Sequence, residues 1–457
     1  MAETGRLWPK LDRIPHPPNR VPLLGDLVGA TPKTPMQGAM TWARRLGPIY
    51  TTKAPGFEMV VVSGADLVAE LADEERFTKH VGFGIDAFRP VTGDGLFTAF
   101  NDEPNWRLAH DILTPAFSRE AMERYHGAML TTVHRLLGHW DARCGGEPVD
   151  VVGDATKLAL ETIGRAGFGY DFGSFSRSDL HPLVAAMMET LQFSMKMPLM
   201  KLFGGKENDK KIKYMHDVVD EVVRRRRASG DTSANDLLGA MLNSTDADGE
   251  SLAAENIRFQ ILTFLIAGYG TSAGMLSFAL HFLASRPDVL KQAVEEVDQV
   301  LGSGTEPSYE QVVKLRYLRR VLDETLRLWP PTPAFLREAR EDTVLGGVHP
   351  MKKGAWAVVL IPMLHRDPVW GGDVESFDPD RFLPEANRAR PPHAYKPFGT
   401  GARACIGRQF AQHEATLALA LILSRYRLQG LPGYELRIRE AGFFMPDGFR
   451  LALERRP

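Results

Sequence analysis

Pro397-Phe398-Gly399-Thr400-Gly401-Ala402-Arg403-Ala404-Cys405-Ile406-Gly407 sets one cysteine among three glycines. Glycine takes tight, left-handed turns at no steric cost, so such a loop can bring peptide N–H groups close to a sulfur. Gly407 through Leu428 reads as an amphipathic to fully apolar helix carrying Phe410, Ala411, Ala415, Leu417, Leu419, Leu421, Ile422 and Leu423. Cys405 therefore stands at a helix N-terminus, where the helix dipole favours an anion and lowers a thiol pKa. A thiolate there, shielded by Phe398, suits the work of a single axial ligand to an iron centre. Arg403 is placed to meet an anionic group beside that metal. The same residues also read as an inert buried thiol, the commoner fate of a lone cysteine. The glycine pattern by itself does not choose between the two.

The 457 residues allow two or three domains by length, although single-core enzymes also reach this size. Nothing repeats internally and no flexible linker divides the chain, so residues 1–457 are expected to form a single domain. A hydrophobic share of 44% and a charged share of 25% are those of an ordinary globular protein, and a net charge of -2 gives no case for nucleic acid. The two cysteines, Cys144 and Cys405, lie far apart, which implies no disulfide framework. Met1 to Ala30 is polar and proline-rich, with neither an apolar run of about 18 residues nor the apolar core of a signal peptide. Those absences predict a cytoplasmic protein with no membrane span.

Going outward from the cysteine, Gln37 to Leu46 and Ala65 to Leu71 read as helices. Ile49–Thr52 and Glu58–Val62 read as strands joined at Ala54-Pro55-Gly56 into a hairpin. Val81 to Asp102, with four glycines and with Phe83, Phe88 and Phe97, reads as a mobile binding connection or as a surface loop with its aromatics folded inward. Pro104 to Leu113 reads as a helix with Trp106 and His110 on one face, both able to donate hydrogen bonds. With Lys79 upstream they make a candidate anion-binding set. Glu120 to Met241 is nearly all helical by pattern, and the run Arg224 to Arg227 reads as a solvated helix end.

Glu255 to Ser285 is the longest apolar helix, and apolar residues all round mark it as central and buried. Its middle, Ala267-Gly268-Tyr269-Gly270-Thr271-Ser272-Ala273-Gly274, carries three glycines that each cost about 1 kcal/mol against alanine in mid-helix. Close approach of a ligand, a bend, or tight packing against another helix would each account for them. Leu315 to Leu328 is a further helix with Glu324 and Arg327 on one face, and Arg381 follows in Phe377-Asp378-Pro379-Asp380-Arg381-Phe382. Val344–Val348 and Ala355–Leu360 read as strands, and the tail from Tyr434 to Leu453 as a short hairpin with Gly442, Phe443 and Phe444 near its tip.

The pattern Phe398-x-x-Gly401-x-Arg403-x-Cys405-x-Gly407 resembles the cysteine-ligand signature of the cytochrome P450 family, with all five positions matched. Ala267-Gly268-Tyr269-Gly270-Thr271 resembles that family's distal oxygen-binding segment, Ala-Gly-x-acid-Thr, with Gly270 where the acid is expected. Glu324, Arg327 and Arg381 match the family's charged lock. Shorter segments, Ala54-Pro55-Gly56, Gly93-Asp94-Gly95-Leu96-Phe97, Arg327-Leu328-Trp329-Pro330 and Leu364-His365-Arg366-Asp367, are similar to the haem domain of bacterial self-sufficient fatty-acid hydroxylases.

The resemblance implies a mainly α fold with a small β region, haem b as cofactor, and Cys405 as the ligand to its iron. It gives Lys79, Trp106, His110 and Arg403 to the haem propionates and Phe398 to the shield of the sulfur. It puts Thr271 in the distal hydrogen-bonding role, with Tyr269 and Gly270 flanking it. It lines the substrate pocket with Ile85, Phe88, Val91, Thr92, Phe97, Ala267, Thr332, Ala334 and Gly442. The activity it implies is insertion of one oxygen atom from O₂ into a small apolar substrate, fed by an NADPH-linked flavin reductase, fused or separate. A peroxide-driven oxygenase, an engineered group-transfer catalyst and a haem sensor share the ligand. Two departures stand out. Phe57 and Val61 fall where those hydroxylases hold the arginine and tyrosine that bind a substrate carboxylate, which predicts weak fatty-acid binding. Gly270 lacks the acid, which predicts poor coupling and a gain on Gly270→Glu.

Overall fold

The computed structural model describes residues 14–22, 25–26, 31, 33–54, 57–82, 84–194, 204–233, 235–302 and 306–457. Most of Met1 to Ala30, Pro55, Gly56 and Phe83 lie outside the described residues, as does the side chain of Phe57. The chain is mainly helical with small sheets, as expected, and resolves into two compact units. The first comprises Met1–His80 and Asp323–Cys405, the second Val81–Leu322 and Ile406–Pro457.

The first unit is built on a five-stranded sheet in the order 49–54, 57–62, 356–360, 334–339, 77–79. The expected hairpin is present, with Ile49 opposite Val62 and Ala54 opposite Phe57. Its second strand then pairs in parallel with the late strand, Val60 against Ala357 and Val62 against Val359. Val60, Val62, Val68, Leu71, Phe77, Ala357 and Val359 are wholly buried in one cluster. β-branched residues fit this pleated, covered surface, which is why the valine run becomes strand. Val344–Val348 is a correction: only Thr343–Leu345 is strand, and the chain turns back into His349–Met351. Gly346 and Gly347 take φ of +58° and +67°, the left-handed backbone of a tight hairpin, which valine-rich composition alone concealed.

The second unit is organised on the helix Ala254–Ser285, buried along most of its length. Among the described residues it is the one helix long and apolar enough to cross a bilayer, and 72% of its most apolar window is buried inside the structure. Val151–Thr162, Gly205–Ala228 and Arg408–Arg425 pack against it; Arg119–Asp141 packs on Val151–Thr162 and Arg408–Arg425, and Pro182–Ser194 on Gly205–Ala228.

The helix after the cysteine ends earlier than expected, at Arg425. Tyr426–Gly430 is a strand paired with Arg450–Arg455. The tail hairpin forms as expected, Ile438–Glu440 against Phe444–Pro446. Val81 to Asp102 is anchored rather than loose. Arg89 donates to both oxygens of Glu103 and to the Thr98 carbonyl, and Asp94 accepts from Asn105 and Asn256. Arg226 also departs from the solvated reading. It pairs with Asp236 and donates to the Phe168 carbonyl, whereas Arg224 and Arg225 pair with Glu221 nearer the surface.

Candidate functional site

The cysteine loop lies in the first unit. Gly399 and Gly401 take φ of +74° and +70°, so the loop folds on itself. The Cys405 N–H donates to the Phe398 carbonyl at 2.9 Å, and Ala404 N–H to Gly401 at 3.0 Å. Cys405 is exposed rather than walled into the core, which favours the ligand reading over an inert buried thiol. The helix begins at Arg408, three residues on, so the sulfur precedes its N-terminus as the sequence implied. A side chain at Gly401 would collide with the Glu74 carboxylate. Glu74 accepts from Arg337 at 2.5 Å, and Arg337, itself buried, donates also to the Leu71 and Phe77 carbonyls. The loop is thus fixed from beneath by a residue pair that the sequence did not single out.

Arg403 and Lys79 belong to this unit too. Burial, with the Arg403 guanidinium beside it, holds the Lys79 ammonium well below its usual pKa. Two cations brought together this way are stabilised by an anion, and a carboxylate pair serves. An exposed thiol on a glycine loop, with Arg403 two residues before it and Lys79 beside that arginine, fits the donor set of a haem: one soft ligand and two partners for propionates.

The charged lock is buried outright. Glu324 receives both arms of Arg327, at 2.6 and 2.7 Å, and both side chains are 0% exposed. Burial raises the Glu324 pKa, opposed by the hydrogen bonds and charge of Arg327. Glu324 also accepts from the Asp378 N–H, and Arg381 stands at 3.7 Å. Arg327 spends its remaining donors on the carbonyls of His365, Val374 and Ser376. His365 carries this order onward. Its Nε2 accepts from Lys396 N–H at 2.9 Å, so Nδ1 bears the proton and donates to the Arg327 carbonyl at 3.1 Å. Burial pushes its pKa down to about 3, so the ring is neutral. The Leu364-His365-Arg366-Asp367 segment had pointed here without assigning the histidine this bridge.

In the second unit the central helix opens at one strip. Ala267 is exposed and Gly268 and Thr271 half-buried, with buried residues on the other faces. The Thr271 hydroxyl donates to the Ala267 carbonyl at 2.7 Å. Tyr269 points the other way: it is 2% exposed, its ring meets Phe443 edge-on at 6.0 Å, and burial raises its phenol pKa. It is a packing residue, not a companion of Thr271. The Gly270 position is filled by the Phe443 ring, which overlaps the place of a side chain there, and Gly268 faces Ile163 in the same way. Two of the three glycines thus answer to close packing. This corrects the expectation for Gly270→Glu: the acid cannot enter while Phe443 stays.

Trp106 and His110 do stack, ring centres 5.1 Å apart, half-buried on one helix face. Phe88 and Phe97 approach to 6.4 Å, and Phe97 is 42% exposed. Ile85 sits half-buried just before Phe88, and Val91 and Thr92 are buried. Gly442, at φ +85°, faces Leu191. These residues belong to the second unit, while Thr332, exposed, and Ala334, half-buried at the start of a strand, belong to the first.

The glycine loop with its exposed Cys405, and Arg403 with Lys79 close by, have the donor chemistry a haem would need. The family profile "Cytochrome P450" matches residues 15–448, and the chain belongs to that family, whose cofactor is haem. It is 47% identical over 425 residues to a bifunctional cytochrome P450/NADPH–P450 reductase of Bacillus subtilis, covering 91% of this chain and 40% of that protein. A bifunctional cytochrome P450/NADPH–P450 reductase of Bacillus cereus is 45% identical over 454 residues, 97% of this chain and 42% of its own. A self-sufficient cytochrome P450 monooxygenase of Exserohilum turcicum is 36% identical over 454 residues, again 97% and 42%. The chain spans about two fifths of the length of the relatives it matches.

Proposed function

We propose that residues 1–457 form a haem-thiolate monooxygenase domain that inserts one oxygen atom from O₂ into a small apolar substrate. The carrying observation is the Cys405 loop: an exposed thiol, closed by its own N–H onto Phe398. When bound, haem supplies the iron at which dioxygen is activated, and the thiolate's electron donation favours O–O cleavage. In this reading Cys405 is the ligand and Phe398 shields it. Lys79, Arg403, Trp106 and His110 hold the propionates. Thr271 is the distal hydrogen-bonding group. Ile85, Phe88, Phe97, Ala267, Thr332, Ala334 and Gly442 touch substrate, and Glu324, Arg327 and Arg381 hold the fold around the cysteine loop.

Electrons come from an NADPH-linked flavin reductase, fused or separate. The bacterial relatives, each a bifunctional cytochrome P450/NADPH–P450 reductase, support that partner. A cytoplasmic location accords with it. Purified protein with a flavin reductase, NADPH, O₂ and a neutral apolar substrate should form hydroxylated product. Product formed only with added peroxide would replace this reading with a peroxide-driven oxygenase. No product with either, alongside a normal haem spectrum, would leave a sensor.

A further inference from the structure

Glu414 is a carboxylic acid in an apolar interior. It lies on the helix Arg408–Arg425, 2% exposed, at a cavity of about 10 Å³ lined by Ala155, Leu158, Ala159, Ser272, Leu276 and Ala415. That is about the space of one water molecule. Among the described residues, no charged side chain faces it: the helix Val151–Thr162 presents alanine, leucine and the Thr162 hydroxyl, and the central helix presents Ser272 and Leu276. Both carboxyl oxygens and the Thr162 hydroxyl are buried without a hydrogen-bond partner. The Thr162 and Ser272 hydroxyls bear on the acid from beyond bonding geometry. A water in the cavity would satisfy these groups together.

We propose that Glu414 is the proton donor of the reaction, relaying through one cavity water to Ser272 and from it to the adjacent Thr271 of the central helix. The inference rests on the monooxygenase reading above. Reduction of the oxygen atom that is not inserted consumes two protons, and the position beside Thr271 that would hold an acid is Gly270, closed by Phe443. Ser272 follows Thr271 directly, and its side chain meets the Glu414 cavity. Burial raises the Glu414 pKa to about 7. An acid of that strength gives and regains a proton with equal ease at neutral pH. In the relay the Glu414 O–H proton passes to the water, the water passes one to Ser272 Oγ, and Ser272 releases its own toward Thr271. Each relay atom ends with the protons it began with. Glu414 ends as a carboxylate, is reprotonated from solvent to deliver the second proton by the same path, and is reprotonated again before the next cycle.

Infrared spectroscopy of the haem-loaded protein tests the acid without turnover. A protonated-carboxyl stretch that titrates with a midpoint near pH 7, and that Glu414→Gln removes, is expected. Its absence at acid pH would overturn the proposal. Glu414→Gln should also cut product formed per NADPH by about tenfold, below the ~100-fold floor of a positioned acid because bulk water substitutes in part. Its pH profile should lose the fall above neutrality that ionisation of Glu414 gives the parent. Ser272→Ala should keep the infrared band yet show the same loss of coupling, a result that misfolding of the first variant cannot imitate. Parental coupling in Ser272→Ala, or an unchanged pH profile in Glu414→Gln, overturns the relay. A parent protein with the band but no turnover with any reductase overturns the monooxygenase reading and the relay with it. The band then separates that failure from a misplaced acid.

Discussion

The cysteine side of the first unit and the glycine strip of the second are held by opposite means. Around Cys405 the order is polar. Arg327, Glu324, Arg337, Glu74 and His365 have hydrogen-bonding partners on backbone or on each other, and Arg327 alone reaches Glu324 and three carbonyls. Along the central helix the order is one of shape. Gly268 fits Ile163 and Gly270 fits Phe443, while the Thr263 and Ser277 hydroxyls are buried with no hydrogen-bond partner. Polar networks fail abruptly when a member is lost, because the remaining charge stays buried. Shape contacts yield by degrees, because a neighbour can move. The cysteine loop is thus held where change is least tolerated, and the glycine strip where neighbours can adjust.

The largest contrast comes from the ligand itself. Cys405→Ser should abolish the strongly red-shifted Soret band of the reduced, carbon monoxide-bound protein, and survival of that band would show that another residue ligates the iron. Next comes the lock. Arg327→Ala leaves Glu324 buried with only the Asp378 N–H and the more distant Arg381 as partners, so unfolding stability should drop by about 3–5 kcal/mol. A drop under about 1 kcal/mol in denaturant titration would mean that water reaches the pair. Smaller again is Gly270→Glu, which should cost about 1–3 kcal/mol by overpacking against Phe443 and give no gain in product per NADPH. Combined with Phe443→Gly it should regain stability and raise coupling. A gain from the single variant would break the account of the glycine strip. The smallest effect concerns substrate. Val61 is buried and apolar, so fatty acids should shift the haem spin state no more strongly than neutral analogues of equal length. Tight fatty-acid binding, weakened by salt, would reveal an anchoring cation elsewhere.

The legible parts of this molecule were those whose signal is local. The cysteine loop, the central helix, the first hairpin and the Glu324–Arg327 pair each lie within a few turns of chain. Period, glycine spacing and charge spacing report them directly. What escaped is nonlocal. Nothing in Val60–Val62 names Ala357–Val359 as its neighbour, and Phe77–Lys79 is too short to declare itself a strand before Ala334–Ala339 is known. Tyr426–Leu428 continues the apolar run of the preceding helix, and only its partner Arg455–Leu453 makes it strand. Among the candidate residues, the thiol, its neighbouring cations and Thr271 were readable as residue types. Tyr269 was misjudged because its side of the helix depends on Phe443, and Glu414 was passed over as one more polar residue on a helix face.

The parallel pairing of Val60–Val62 with Ala357–Val359 also bears on how the chain is made. The first hairpin leaves the ribosome with one edge bare, and its partner strand is about 300 residues away. At about 5–20 residues per second that edge waits some 15–60 s before its sheet can close. For that time a run of three valines with open N–H and C=O groups is offered to any neighbouring strand. The second unit has most of its helices, Arg119–Asp141 through Pro287–Leu301, synthesised during the same interval. Helical contacts form fast because they are local, so the order of synthesis gives the helical unit a head start over the sheet unit that includes the cysteine loop. Cys405, at the very end of the first unit, is among its last residues to arrive.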